Sequence, residues 1–208
     1  MNKYIMELIG TFFLVLTIGC TVIGNGAGVI PPLAIAGALM VMVFAGGHIS
    51  GAHYNPAVTL AAWIRGRCET KDVVPYWVFQ IIGAAAAAAI IKILKAGVEI
   101  KAMNPDAGPA LIAEFLFTFA LAFVVLNVAT SKDTAGNSFY GLAIGFTVLA
   151  GAFSVGSISG GAFNPAVAVG ISAMGLVGWG SLWIYLVANL LGGAAAGIVF
   201  KSLNPEDK

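Results

Sequence analysis

The tripeptide Asn-Pro-Ala occurs twice in this chain, at residues 55–57 and again at residues 164–166. Asn is a good cap for the free backbone donors at a helix start, and Pro suits the first helical position, where its missing N–H is not needed. Each copy follows a Gly- and Ser-rich stretch and opens an apolar segment of about ten residues. The residues concerned are Asn55, Pro56, Ala57, Asn164, Pro165 and Ala166.

Two such helix starts that meet inside the protein would control a pore rather than catalyse a reaction. A water molecule held by both Asn amides must direct its oxygen at them, so it cannot relay a proton through that position. The positive ends of two helix dipoles would also repel hydronium and other cations. The sequence contains no Ser/His/Asp set, no phosphate-binding loop and no paired pore carboxylates, so we expect no enzyme and no cofactor.

The composition of the chain is that of a membrane protein. Hydrophobic residues make up 60% of the sequence and charged residues only 9%, with a mean hydropathy of +0.97. A soluble domain carries roughly 25% charged residues. The charges also cluster, which leaves apolar runs long enough to cross a bilayer as helices. The net charge of +1 gives no indication of a nucleic-acid partner.

Six long apolar runs and two short ones define the predicted elements. The six predicted spans are Tyr4–Gly24, Pro32–Gly47, Val73–Leu94, Pro109–Ala129, Ser138–Val155 and Trp179–Leu203. The two short pieces follow Asn55 and Asn164 and reach about half the length that a span needs. Asp72 stands at an N-cap position before the third span. The predicted fold is an all-α membrane protein with six transmembrane helices and two re-entrant half-helices.

The chain also repeats itself. Residues 47–58 return as residues 156–167, with eight of twelve positions identical. Pairs aligned at nearly the same offset are Tyr76 with Tyr185, Gln80 with Asn189, and Glu7 with Glu114. Each half holds three spans and one half-span, so the second half must insert upside down relative to the first. We therefore expect one channel domain over residues 1–208, an inverted repeat of about 1–103 and 104–208, with its site near the midplane.

The distribution of Lys and Arg predicts that both termini lie in the cytoplasm. Six spans place the two termini on the same side of the membrane. That side carries Lys3, Arg65, Arg67, Lys71, Lys132, Lys201 and Lys208, and the other carries Lys92, Lys95 and Lys101. The expected location is the plasma or inner membrane.

These features resemble the aquaporin, or major intrinsic protein, superfamily over essentially the whole chain. Residues 47–58 resemble bacterial and archaeal members, and the Glu-x-x-x-Thr pattern that begins at Glu7 and again at Glu114 matches the starts of the first and fourth spans in that family. The resemblance implies an aquaporin-like fold with one solute pore per subunit. It also implies a homotetramer in the lipid bilayer that passes water and small neutral solutes.

The sequence departs from the family directly after the second Asn-Pro-Ala. Most aquaporins have an arginine there, which forms a narrow extracellular filter with aromatic and histidine residues, whereas this chain has Val167. The resemblance maps the other filter positions to Ile35, Ala152 and Gly161, with Gly151 or Phe153 as alternatives to Ala152. Such a ring would be wider and less polar than a water filter. Alternatively, valine leaves room for a polar group from another residue that keeps the pore narrow.

Two carboxylates and two histidines in apolar surroundings invite a functional interpretation. Glu7 and Glu114 could relay protons, or they could accept hydrogen bonds from the backbone of the re-entrant loops. The resemblance and the repeat favour the second role. His48 and His53 could charge and sense pH, or anchor the first loop as neutral groups. They lack the ligand cluster of a metal site. We expect Glu7, Glu114 and His48 to support the loops.

The leading functional prediction is a passive, proton-excluding channel for water. Ammonia, hydrogen peroxide, urea and glycerol are further candidate solutes because the predicted filter is wide. One alternative is a channel of the glycerol-facilitator type. A second alternative is a coupled or ion-conducting transporter built on the same inverted repeat, and a third is a structural protein with a closed pore.

Overall fold

The computed structural model describes residues 1–24 and 30–207, and eight α-helices follow one another in this part of the chain. The helices are α1 Asn2–Val22, α2 Ile30–Ser50, α3 Pro56–Arg65, α4 Thr70–Leu94, α5 Ala107–Thr130, α6 Tyr140–Ser159, α7 Pro165–Met174 and α8 Leu182–Leu203. Short 3-10 turns at Lys132–Thr134 and Trp179–Ser181 precede α6 and α8. Lys208, which contributes to the predicted orientation, lies outside the described residues.

Six of these helices (α1, α2, α4, α5, α6 and α8) are long and apolar enough to cross a membrane. The two others, α3 and α7, have ten residues each and begin directly after the two Asn residues. The predicted fold class is therefore confirmed. One boundary differs clearly: α6 continues beyond its predicted end at Val155 to Ser159, so the Gly- and Ser-rich stretch before the second loop is still helical.

The prediction that Asp72 caps the third span is wrong. The helix begins at Thr70, so Asp72 lies inside its first turn. The carboxylate instead accepts hydrogen bonds from Lys3 Nζ at 2.5 Å and from the Tyr4 hydroxyl at 2.6 Å. Asp72 therefore joins the start of α4 to the start of α1, and its role is a tertiary contact rather than a cap.

The long helices pack in two similar groups. In the first group α1 packs against α2 and α4, and in the second α5 packs against α6 and α8. The helices α2 and α6 also contact each other across the groups. Each short helix packs mainly on a helix of the other group, α3 on α8 and α7 on α4. The short helices thereby connect the two groups at the centre of the molecule.

Two equivalent glycines set the distance between neighbouring long helices. A Cβ atom placed on Gly192 of α8 would lie 2.7 Å from the Phe115 carbonyl oxygen of α5 and 3.0 Å from the Phe119 nitrogen. Gly83 of α4 makes the matching close approach to the backbone of α1 at Leu8. Small residues are the usual means by which membrane helices approach so closely.

We predict that Gly192→Ala lowers stability, because the obstacle to the added methyl group is backbone and cannot rotate away. The expected loss is about 1–3 kcal/mol, typical of overpacking, measured as the unfolding midpoint in detergent. Gly37→Ala in α2 is the matched control, because no atom lies within 4 Å of its added Cβ. An equal loss in both variants would contradict the close-approach explanation.

The segment after α8 is fixed to the rest of the molecule by a buried arginine. Arg65, at the end of α3, donates to the Asp207 carboxylate at 2.8 Å and to the Asp207 carbonyl oxygen at 2.8 Å. The guanidinium also contacts the Phe200 ring and donates to the Thr130 carbonyl oxygen at 3.2 Å. The second oxygen of Asp207 accepts from the Lys132 backbone N–H at 3.0 Å. One carboxylate thus joins α3, the loop after α5 and the C-terminal segment.

We predict a pH dependence from Asp207. Burial raises its pKa, but the Lys132 N–H, Ser131 and the Arg65 charge outweigh burial and hold the pKa below the usual 3.8. A depressed pKa in the folded state means that the contact stabilises the protein above the unfolded value and is lost as pH falls through the folded value. Asp207→Asn should therefore have a lower unfolding midpoint in detergent than wild type at pH 6, and the difference should shrink as the pH falls below 3.8 towards the folded pKa. Glu206→Gln, at the exposed neighbouring position, is the control.

Candidate functional site

The two short helices begin with the same capping geometry. Asn55 has an extended backbone (φ −157°), and its side-chain oxygen accepts from the Ala57 N–H at 2.9 Å. Asn164 has φ −162°, and its oxygen accepts from the Ala166 N–H at 2.9 Å. Pro follows each Asn at the start of the helix. Both side chains therefore act as N-caps, which fixes their amide nitrogens in place.

The amide nitrogens join the two loops to each other. Asn55 Nδ2 donates to the Phe163 carbonyl oxygen at 2.8 Å, and Asn164 Nδ2 donates to the Tyr54 carbonyl oxygen at 2.8 Å. An amide nitrogen carries two hydrogens. In the described residues each amide has this single acceptor, which leaves its second N–H for the cavity that both Asn residues line. The starts of α3 and α7 therefore meet inside the protein.

The first loop is held by the carboxylate of Glu7, which is completely buried in α1. One oxygen accepts from the Ser50 hydroxyl at 2.6 Å and the His53 N–H at 2.9 Å. The other accepts from the Tyr54 N–H at 2.6 Å and from Gln80 Nε2 at 2.8 Å. Four donors converge on one carboxylate. The carboxylate thus accepts hydrogen bonds from loop N–H groups that have no partner within a helix.

The second loop repeats the arrangement around Glu114 in α5. Its carboxylate accepts from the Ser159 hydroxyl at 2.7 Å and from the backbone N–H groups of Ala162 and Phe163, at 2.9 and 2.7 Å. Neither Glu7 nor Glu114 takes part in an ion pair within residues 1–24 and 30–207. The donors to both carboxylates are therefore backbone, hydroxyl and amide groups.

Each loop contains an aromatic residue in the left-handed backbone region, where a side chain is strained. Tyr54 has φ +50° and Phe163 has φ +49°. This conformation directs their N–H groups at the carboxylates and their carbonyl oxygens at the opposite Asn amide. The equivalent tyrosines Tyr76 and Tyr185 donate their hydroxyls to the carbonyl oxygens at the ends of α2 and α6.

The two histidines occupy different environments. His53 Nδ1 lies 3.1 Å from the Thr59 hydroxyl, and the side chain lies against both cavities described below. His48 is exposed in the last turn of α2 and makes no side-chain hydrogen bond to the described residues. The loop contact predicted for His48 is therefore not seen in the described residues, since α2 continues through His48 and leaves its side chain exposed.

The four mapped filter residues line one cavity. An outer cavity of about 360 Å³ lies against Ile35, Ala152, Gly161 and Val167, and against both Asn amides. Ala152 belongs to this lining, whereas Phe153 is exposed on the outside of α6 and Gly151 is buried against Phe163 and Phe117. The spacing of α6 therefore favours Ala152 over its two neighbours.

An inner cavity of about 660 Å³ opens on the side of the chain termini. Its lining includes Ser50, Gly51, Arg67, Lys132 and Tyr140. His53 and Val125 line both cavities, which places these two side chains at the junction.

Some contacts of this site cannot be predicted from residue types. The cross-loop bonds end on the carbonyl oxygens of Tyr54 and Phe163, and backbone acceptors are not visible in residue types. The offset of 109 does pair these two aromatics, so the repeat offers a clue to their common role. The sequence predicts Arg65 to be a charge between the spans, whereas in the structure its side chain is 1% exposed.

Six membrane-length helices around two half-helices that meet at a cavity define a multi-pass membrane channel for small solutes. Residues 1–200 match the family described as major intrinsic protein. The chain belongs to the major intrinsic protein family, whose members are passive channels and not enzymes.

Curated relatives match the whole chain. "Aquaporin NIP1-3" of Oryza sativa subsp. japonica is 38% identical over 218 residues, covering 100% of this chain and 75% of that protein. "Glycerol uptake facilitator protein-like 6" of Lactiplantibacillus plantarum is 35% identical over 217 residues and is covered completely. The fold is similar to the X-ray structure of the aquaglyceroporin from Plasmodium falciparum, with a TM-score of 0.82, 21% identity, and coverage of 98% of this chain and 97% of that one.

We predict that Glu114→Gln destabilises the second loop. The amide NH₂ would replace one acceptor oxygen and face donors such as the Phe163 N–H, leaving a buried donor unpaired. The expected cost is about 1–3 kcal/mol, measured as the unfolding midpoint in detergent. Osmotic water flux into proteoliposomes should fall as well. Glu99→Gln, at an exposed position between α4 and α5, should change neither, and an unchanged midpoint in Glu114→Gln would contradict the loop-supporting role.

Proposed function

We propose that this protein is a passive channel for water and for other small neutral solutes, and that it excludes protons. Ammonia, hydrogen peroxide, urea and glycerol are the proposed further solutes. The observation that carries the proposal is the lining of the outer cavity by Ile35, Ala152, Gly161 and Val167. None of these side chains carries a charge, a ring or a hydrogen-bond donor. Such a constriction selects less strictly by size and polarity than one with arginine and histidine.

The proposed barrier to protons lies at the two Asn amides. Each amide keeps one N–H for the cavity, and the starts of α3 and α7 bring the positive ends of two helix dipoles to the same region. A water molecule that accepts from both amides has no lone pair left to continue a proton chain through that point. Neutral solutes with an oxygen acceptor can exchange places with it. The residues proposed for this role are Asn55, Pro56, Ala57, Asn164, Pro165 and Ala166.

The hydrogen bonds of the buried carboxylates support a structural role in the proposed channel. Each oxygen of Glu7 receives two donors, so a proton on the carboxyl would displace an existing hydrogen bond. Glu114 holds the second loop in the same way. These contacts favour a passive channel over a coupled transporter that would titrate either carboxylate. We assign Glu7 and Glu114 to loop support.

The proposal extends to the organisation of the molecule. We propose one channel domain over residues 1–208, with halves of about 1–103 and 104–208 that insert in opposite directions. Both termini would lie in the cytoplasm, in the plasma or inner membrane. We also propose a homotetramer with one pore per subunit. The large apolar side chains exposed on the outside of the helices, among them Leu116, Phe146 and Ile198, would contact lipid or neighbouring subunits.

A channel of the glycerol-facilitator type is the second candidate. The relative "Glycerol uptake facilitator protein-like 6" is 35% identical over its full length. The lining of the outer cavity is also apolar enough to accept the carbon backbone of a polyol. The two candidates differ in whether glycerol passes at a rate comparable to that of water.

Stopped-flow light scattering on proteoliposomes tests the proposal, with osmotic steps of an impermeant sugar, urea and glycerol beside a pH-sensitive dye. We expect water and urea flux above that of empty liposomes and no proton flux. Val167→Arg should lower urea and glycerol flux about tenfold, with a smaller effect on water, because the arginine narrows the constriction and adds donors.

Val167→Met is the control, because it adds bulk without charge or donors. An equal effect of Met and Arg would assign the selectivity to size alone. If Val167→Arg leaves urea and glycerol flux unchanged, position 167 does not lie in the constriction. Water and solute flux no greater than in empty liposomes would reject the channel, and a gradient-driven proton flux would favour the transporter.

A further inference from the structure

One charged side chain reaches the outer cavity. Among the described residues that line it, Lys101 is the one Lys, Arg, Asp or Glu. It lies in the segment between α4 and α5, outside the helices and outside the four mapped filter positions. The rest of the lining is largely aliphatic side chains and glycine, with the two Asn amides and His53 at its inner end.

The segment that carries Lys101 is fixed over the mouth of the cavity. Two residues further on, the Met103 N–H donates to the Leu176 carbonyl oxygen at 2.8 Å, and Met103 forms an isolated β-bridge with Val177. Leu176 and Val177 follow α7 and themselves line the cavity. The backbone contact of Met103 therefore holds the segment with Lys101 in place at the mouth.

Lys101 is not paired with a carboxylate in residues 1–24 and 30–207. It forms no ion pair and no side-chain hydrogen bond in this part of the chain. Of the two acidic residues in the same segment, Asp106 caps the start of α5 through the Gly108 N–H, and Glu99 is exposed. Neither of them lines the cavity. Lys101 therefore shares the lining of the outer cavity with no carboxylate of the described residues.

Lys101 is exposed at the mouth, and the cavity walls beyond it are apolar. Walls of low polarizability focus the field of a charge along the opening, which changes the local concentration of ions of each sign. The ring formed by Ile35, Ala152, Gly161 and Val167 contributes no charge of its own. The outer part of the pore therefore takes its electrostatic sign from Lys101.

We propose that Lys101 is a specificity-determining residue of the pore and supplies from the outer segment the positive charge that the filter ring lacks. It disfavours the entry of cations and offers ammonium hydrogens to neutral solutes that carry a hydroxyl or carbonyl oxygen. This inference rests on the proposed channel function, because only a conducted solute would meet the charge on its way in.

The test uses the reactivity of an introduced cysteine to measure the sign of the electrostatic potential at the mouth of the outer cavity. Cys20 and Cys68 are replaced by Ser, and Ala152→Cys places a thiol in the lining of the outer cavity. The rate of modification is compared for an anionic sulfonate and a cationic trimethylammonium methanethiosulfonate reagent of similar size. We expect Lys101→Gln to lower the anion-to-cation rate ratio about tenfold and Lys101→Glu to lower it further, with a smaller effect at high salt.

Lys95→Glu is the matched control, because Lys95 belongs to the same side of the chain but does not line the cavity. A ratio that is the same in Lys101→Glu and in Lys95→Glu would overturn the proposal. A thiol at position 152 that reacts with neither reagent would also overturn it, because the cavity would then not open to the outside.

Failure of the inference is separable from failure of the channel function. The modification rates are measured on purified protein in detergent and need no flux. Urea and water flux of the unmodified protein are measured in parallel in proteoliposomes. If no flux is seen but the anion-to-cation rate ratio still depends on Lys101, the channel function is rejected and the positive charge at the mouth is supported. Normal flux with a Lys101-independent ratio would reject the role of Lys101 alone.

Discussion

The structure depends on one constraint: backbone that leaves a helix in the middle of a bilayer must find its hydrogen bonds within the protein. Two segments of this chain do leave a helix there, at the loops before α3 and α7. Glu7 and Glu114 meet the constraint by placing a carboxylate beside each loop, where it accepts adjacent backbone N–H groups. Burying a carboxylate is costly unless several donors surround it. The loop supplies those donors, so the loop and the carboxylate stabilise each other.

The same arrangement explains why the cavity can be apolar without losing its shape. The two carboxylates that hold the loops lie in α1 and α5, and neither of them lines the outer or the inner cavity. The lining at Ile35, Ala152 and Val167 is therefore free to vary in size and polarity. The Asn amides serve both purposes, since their oxygens cap α3 and α7 while their nitrogens join the loops and face the cavity.

The number and order of the helices could be read from the sequence, because apolar length and Asn-Pro at a helix start are local signals. The half-helices were predictable for the same reason. The cap predicted at Asp72 was wrong, since the contact that decides its role comes from Lys3 and Tyr4, nearly 70 positions away. The pairing of Arg65 with Asp207, 142 positions apart, had no local signal at all. The place of Lys101 at the mouth likewise depends on a backbone contact of Met103.

The cross-loop hydrogen bonds have a consequence for how the molecule is assembled. Within residues 1–24 and 30–207, the Tyr54 carbonyl oxygen of the first half accepts a hydrogen bond from Asn164, and the Asn55 amide nitrogen donates to Phe163. A ribosome delivers the first half to the membrane well before the second. During that interval the first loop can donate its N–H groups to Glu7, but Asn164 and Phe163 are still absent. The Tyr54 carbonyl oxygen and the Asn55 amide nitrogen then lack their hydrogen-bond partners. Closure of both loops is a single event that waits for the second half, and a half expressed alone would lack the contacts that complete its own tip.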